Sequence, residues 1–354
     1  MAQQQDTVAK PPARRFGYQP QLDGWRGVAV MAVLLFHARL LHGGLLGVDM
    51  FFVLSGFLIT SLLIAEKDRR GDVSLRNFYV RRVLRLEPAL VLVSASVLIA
   101  AVGFLHGAER SGAMREVVLA LTQTRNIAEG FAHIHTGFLG HTWSLALEEQ
   151  FYLVWPPTFV VVAVRWRRSG WLVPLLVAGI VLICGQRLLR LGPLSSSNDL
   201  RADVILWGCL LAMCIDARGT RRILLTRGVT IPLAVLLAIA LFNGPDHMGF
   251  EQFRIFVVPL FAVIATGLVG ALFLQPDCSL ARWLAVPPLR WLGRISYGLY
   301  LWHLPIFILI QRDLHDPRWI IDVVEIACSI AVAAASYYMV ERHFLRWKTA
   351  FKSV

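Results

Sequence analysis

The chain has 354 residues, 56% of them hydrophobic and only 16% charged, with a mean hydropathy of +0.60. A globular chain carries about a quarter charged residues, so an ordinary soluble fold is excluded and several apolar spans are expected, each needing roughly 20 residues to cross ~30 Å of hydrocarbon. The net charge of +12 does not indicate nucleic acid, because Lys and Arg fall between apolar runs, where they orient membrane helices, and no basic patch with interleaved aromatics lies outside the runs.

In chain order, residues 1–20 read as a tail, 21–345 as one membrane domain and 346–354 as a second tail. Lys10, Arg14 and Arg15 precede the first apolar run as a signal peptide would require. Arg26 interrupts that run, however, and Arg39 and His42 stand where small residues would mark cleavage, so the first helix is expected to be retained. The apolar runs predict membrane helices over 25–41, 45–65, 86–106, 146–165, 171–190, 200–216, 228–243, 254–274, 294–311 and 319–343. The fold class is therefore all-α, a polytopic bundle of about ten transmembrane helices. Lys and Arg concentrate in alternate connections, for example Lys67, Arg69, Arg70, Arg76, Arg81, Arg82 and Arg85 over 66–85. That bias predicts cytoplasmic N- and C-termini in a plasma membrane.

The first helix raises the functional question. Its stretch LDGWRGVAVMAVLLFH carries Arg26 and His37, and an ionisable side chain in hydrocarbon is costly unless it is paired or lines a cavity. Eleven residues is close to three helical turns, so the two groups share a face, ~16 Å apart along the axis. Singly, Arg26 reads as a snorkelling cation and His37 as an imidazole bonded to a backbone carbonyl; together on one stripe they indicate a site.

Asp49 opens the second helix, and Arg82 and Arg85, spaced i, i+3, share a face before Pro88. With Arg26 and Arg294 they would form a basic mouth for a phosphate-bearing ligand, since arginine forks suit phosphate oxygens; positive-inside topology accounts equally well for any one of them. The stretch 107–142 is expected to stay outside the membrane with a short surface helix. It holds His133, His135 and His141; the alternate pair His133 and His135 has no nearby third ligand, so that pair reads as solvated and no metal is expected.

The following helix enters through GHTWSLALEEQFYLVWP, with Glu148 and Glu149 near one end. At the depth of His37, Glu148 would orient the imidazole as a general base, and Asp49 is a second candidate carboxylate. Further on, GRISYGLYLWHLPI carries Ser296, Tyr300 and His303 on overlapping faces, with Pro305 behind them. Ser296, Tyr300 and His303 are candidates for the donor pocket; His303 reads equally as a core histidine. The five cysteines show neither metal nor disulfide spacing.

Four stretches, LDGWRGVAVMAVLLFH, GVDMFFVLSGFLIT, WSLALEEQFYLVWP and ISYGLYLWHLPI, joined by VRRVLRLEP and LRADVILWGCLLA, resemble the acyltransferase-3 family of bacterial membrane acyltransferases from about residue 20 to 345. The resemblance implies a ten-helix enzyme of the bacterial inner membrane that moves an acyl group, usually acetyl, from cytoplasmic acyl-CoA to a hydroxyl of a carbohydrate or glycoconjugate. The family's Arg-x10-His pair falls on Arg26 and His37, its arginine motif on Arg82 and Arg85, and its glutamate on Glu148. Support is expected from Asp49, Glu149, Trp143, Arg201 and Asp203. Trp25 stands where Leu is common, and Glu87 intrudes on the arginine motif. Many relatives append a hydrolase-like SGNH domain, which is not expected here.

On this reading His37 is the general base, or carries the acyl group as a covalent relay. The rival is a transporter or flippase for a lipid-linked glycan, with the buried charges lining its path. An O-acyl type membrane acyltransferase also uses a buried histidine, and the N-terminal Arg-x10-His arrangement argues against it.

Overall fold

The computed structural model describes residues 17–132, 137–189, 201–226, 228–245, 249–314, 316–347 and 351. Among them the regular elements are all helical: α1 (Pro20–His37), α2 (Gly47–Arg70), α3 (Leu75–Phe104), α4 (Gly107–Leu121), α5 (Arg125–Ala132), α6 (Trp143–Phe159), α7 (Leu172–Leu189), α8 (Ala202–Cys214), α9 (Arg218–Leu224), α10 (Thr230–Phe242), α11 (Phe250–Gln252), α12 (Val258–Leu274), α13 (Ser279–Leu284), α14 (Pro287–Asp313), α15 (Arg318–Ser336) and α16 (Arg342–Trp347). Six helical stretches, 44–70, 75–104, 169–189, 250–274, 287–313 and 318–347, are long and apolar enough to cross a membrane, and α8 and α10 are shorter apolar helices.

Each segment predicted as a span overlaps a helix, but six rather than about ten helical stretches among the described residues meet the length and hydropathy for crossing a membrane, and the starts of α1, α3 and α14 shift. Helix α3 begins at Leu75 rather than 86, because Gly71 closes α2 in the left-handed region (φ 74°) and the Ser74 hydroxyl caps the Asn77 amide at 3.3 Å. Arg82 and Arg85 consequently sit two to three turns inside a helix rather than at its mouth. Helix α14 begins at Pro287, which suits a first-turn position because the amide it lacks would be unpaired there anyway.

Small residues set the helix spacing. A Cβ on Gly27 of α1 would lie 2.4 Å from the Leu289 carbonyl oxygen, and one on Gly293 of α14 would lie 1.9 Å from that of Asp23. Gly56 of α2 and Gly208 of α8 meet Ile205 and Val53 in the same way, at 2.0 and 2.1 Å. Helices in lipid gain little from hydrophobic association, so close backbone contact between small residues supplies the packing. Trp25 fits this arrangement: buried at 2% exposure, its indole N–H donates to the Met50 carbonyl of α2 at 3.1 Å. These contacts clamp α1, α2, α8 and α14 around the polar centre.

Candidate active site

Two cavities occupy that centre. The first, about 90 Å³, is lined by Arg26, Ser55, Arg82, Arg85, Glu148 and Tyr152 among others. The second, about 300 Å³, holds His37, Glu129, His141, Trp143 and Arg201 on its walls. Val48 and Tyr300 line both. The two groups of α1 thus do share a stripe facing the protein interior, but each addresses its own cavity. The two cavities adjoin at these shared residues.

The arginine cavity brings Arg26, Arg82 and Arg85 together from α1 and α3. Among the described residues none of the three is ion-paired to a carboxylate. Arg82 instead lies over the rings of Tyr152 (4.5 Å to the centroid) and Phe78 (5.7 Å). Like charges in a partly buried space repel, so the arrangement favours an anion. Arg294, expected at this mouth, is exposed and lines neither cavity, and neither does Glu87. Ser296 lines the arginine cavity but spends its hydroxyl on the Gly293 carbonyl at 2.9 Å.

Glu148 belongs to this cavity, which corrects the expected pairing with His37. Its Oε1 accepts from the Ser55 and Tyr152 hydroxyls. Helix α6 turns this edge towards α2, and no hydrogen bond joins Glu148 to the imidazole. Glu149, one residue on and about 100° around the helix, lines neither cavity.

The orienting partner of His37 is instead its own backbone. Nδ1 lies 2.9 Å from the Val33 carbonyl oxygen, one turn back. A carbonyl can only accept, so Nδ1 carries the proton and Nε2 is left with its lone pair. Asp49, the other expected partner, is bound to Arg201 at 2.9 Å, with both side chains buried. The Arg201 guanidinium in turn lies 5.6 Å from the centre of the Trp143 ring. Asp203 lies off the cavities and pairs with Arg187 at 2.5 Å.

His303 was expected in the donor pocket. It lines neither cavity; fully buried, it packs its ring 4.8 Å from that of His37. His141, given no role by the sequence, is also buried, with its ring 5.0 Å from that of His303. Glu116 carries it there by accepting from the amides of Gly137 and Leu139 at 2.8 and 3.1 Å and from Arg125 at 3.1 Å, which ties the turn before α6 to α4. A Glu and an Arg nine residues apart on outer helices were the sequence signal for that tether. His133 and His135 lie outside the described residues; among the described residues no group of His, Cys, Asp and Glu is arranged to hold a metal.

Hydroxyls meet at Tyr300, where the two cavities adjoin. Tyr300 Oη donates to the His141 carbonyl at 2.9 Å and lies 2.7 Å from Ser144 Oγ, which itself reaches the same carbonyl at 3.2 Å. The centre therefore places three arginines on one side, the imidazole of His37 on the other, and hydroxyls where the two cavities adjoin.

Residues 19–338 match the family model described as an acyltransferase domain. The chain is 29% identical over 350 residues to the peptidoglycan O-acetyltransferase OatA of Listeria monocytogenes, covering 92% of this chain and 55% of that protein. It is 30% identical over 348 residues to the O-acetyltransferase OatA of Staphylococcus aureus (92% and 57%). It is also 30% identical over 350 residues to the putative peptidoglycan O-acetyltransferase YrhL of Bacillus subtilis (92% and 54%). The chain thus spans little more than half the length of these relatives. No solved structure matches it.

Proposed function

The chain belongs to the acyltransferase-3 family, and from that premise we propose that it is a membrane O-acetyltransferase whose donor is acyl-CoA and whose acceptor is a carbohydrate hydroxyl. The observation that carries the reading is the meeting of two unlike cavities at Tyr300, one with three arginines and the other with the bare Nε2 of His37.

Arg26, Arg82 and Arg85 would hold the phosphates or the pantetheine entrance of the donor, using charge-assisted hydrogen bonds of the kind arginine makes best. His37 Nε2 would take the proton of the acceptor hydroxyl as its oxygen attacks the thioester carbonyl. The C–S bond then breaks, and the CoA thiolate leaves with a proton returned to sulfur. General-base assistance of this kind is worth roughly 10²–10⁴-fold. Trp143, beside His37 in the second cavity, gives a sugar ring an aromatic face. The glycan named for the Listeria relative, peptidoglycan, supports a carbohydrate acceptor. Multiple apolar helices support a multi-pass membrane protein, and the bias of Lys and Arg towards alternate connections supports cytoplasmic termini in the plasma membrane.

The test uses the full chain in lipid nanodiscs with labelled acetyl-CoA and soluble peptidoglycan fragments. The expected result is acceptor-dependent release of free thiol with the label transferred to the glycan, reduced ~10²–10⁴-fold in His37→Ala. Thiol release unaffected by His37→Ala would overturn the assignment.

A further inference from the structure

Three imidazoles meet in this protein, and a single general base accounts for one. His37 and His141 line the second cavity, whereas His303 lies behind them, in edge contact with both at 4.8 and 5.0 Å between ring centres. Phe307 and Tyr300 close the remaining sides of the His303 ring at 5.9 and 5.4 Å.

The hydrogen bonding of His303 repeats that of His37. Its Nδ1 lies 2.5 Å from the Tyr300 carbonyl oxygen, which accepts, so the proton is on Nδ1 and Nε2 is a lone pair. That Nε2 is buried without a hydrogen-bond partner. A buried acceptor left unsatisfied destabilises a fold, and natural proteins rarely keep one without a use for it. Two neighbouring δ-tautomers, each with a lone pair at Nε2, have no proton to share between them. The missing proton is the one His37 would take from the acceptor hydroxyl.

We propose that His303 is a positioning residue that relays this proton, receiving it from His37 and passing it to His141. The inference rests on the acyltransferase reading of the site. The hydroxyl O–H bond breaks as the O–C bond to the acyl group forms, and the proton moves to His37 Nε2. His303 Nε2 accepts it, with His303 Nδ1–H still held by the Tyr300 carbonyl. His141, back on the cavity wall, delivers a proton to the departing thiolate sulfur. All three rings end neutral, and no further reactant is consumed. The relay removes positive charge from His37 before the next acceptor binds.

The experiment compares wild type, His303→Asn, His37→Ala and the double variant, in nanodiscs with acetyl-CoA and soluble peptidoglycan fragments. Asparagine keeps an N–H near the position of Nδ1, so the bond to the Tyr300 carbonyl can persist, and it removes the base at Nε2. We expect kcat to fall about tenfold or more, with KM for donor and acceptor held within about twofold and no additional loss from His303→Asn in the His37→Ala background. Unchanged kcat in His303→Asn, or an equal loss with and without His37, overturns the relay. If His303→Asn does not fold, His303→Gln, whose amide reaches the Nε2 position without accepting a proton, is expected to show the same kcat loss, and wild-type turnover there overturns the relay. Wild-type protein that transfers no acetyl overturns the reading beneath it and the relay together, whereas an active wild type with equally active His303 variants removes the relay alone.

Discussion

The hydroxyls of Ser144 and Tyr300 lie 2.7 Å apart on the partition between the arginine cavity and the histidine cavity. Both also reach the carbonyl of His141, so one backbone oxygen anchors the partition.

Tyr300→Phe removes one hydroxyl and leaves the ring. The expected outcome is a stability loss of about 0.5–1.5 kcal/mol, read as a lowered thermal midpoint in detergent. A larger fall in kcat than in donor affinity is also expected, measured by thiol release at saturating acetyl-CoA. Ser144→Ala should reproduce the kinetic effect in weaker form, because the Tyr300 hydroxyl keeps its bond to the His141 carbonyl.

The three arginines line one cavity, and among the described residues none of them is ion-paired to a carboxylate. Replacing Arg26, Arg82 or Arg85 with Ala should weaken CoA binding by roughly 10- to 100-fold, the equivalent of about 1.5–3 kcal/mol for a charge-assisted hydrogen bond. Lysine should recover only part of the loss, since a point charge cannot reproduce the guanidinium fork. Isothermal titration with CoA and with dephospho-CoA, at two salt concentrations, checks both expectations.

Asp49 and Arg201 form a buried ion pair beside His37, so truncating one partner strands the other. Asp49→Ala is expected to cost about 3–5 kcal/mol, seen as loss of the monodisperse peak on size-exclusion chromatography or a sharply lower melting temperature. Replacing both with apolar residues of similar volume should recover much of the stability without restoring transfer activity, because Arg201 also lines the histidine cavity.

Gly27 and Gly293 allow α1 and α14 to touch, and those helices carry Arg26 and His37 on one side and Tyr300 and His303 on the other. Gly293→Ala places a methyl 1.9 Å from the Asp23 carbonyl oxygen, so the helices must separate. A loss of about 1–3 kcal/mol is expected, together with reduced turnover even though no cavity residue changes. Thermal unfolding paired with the thiol assay measures both.

The sequence by itself determined the class of the molecule and the helical segments, and it picked out Arg26, His37, Arg82, Arg85, Glu148 and Arg201, which line the two cavities. These are properties of one segment at a time: hydropathy over twenty residues marks a helix, and an ionisable group within such a run must be buried, paired or lining a cavity. The Arg26–His37 stripe was legible for that reason, and so was the reach of an imidazole to a carbonyl one turn back, because both lie within one helix.

Pairings between helices were decided by the tertiary structure. Glu148 and His37 look matched in depth, but depth along each axis does not fix the rotation of one helix against another. On α6, Glu148 accepts from Ser55 of α2 and from Tyr152 one turn on in its own helix, while glycine contacts such as Gly27–Leu289 and Gly56–Ile205 hold α1 against α14 and α2 against α8. His141 carried no assigned role because its segment is polar and lies between helices; Glu116, more than twenty residues earlier, ties that segment down. Division of the polar centre into two cavities, with His303 behind both, likewise depends on side chains from separate helices meeting at one depth, which linear periodicity does not encode.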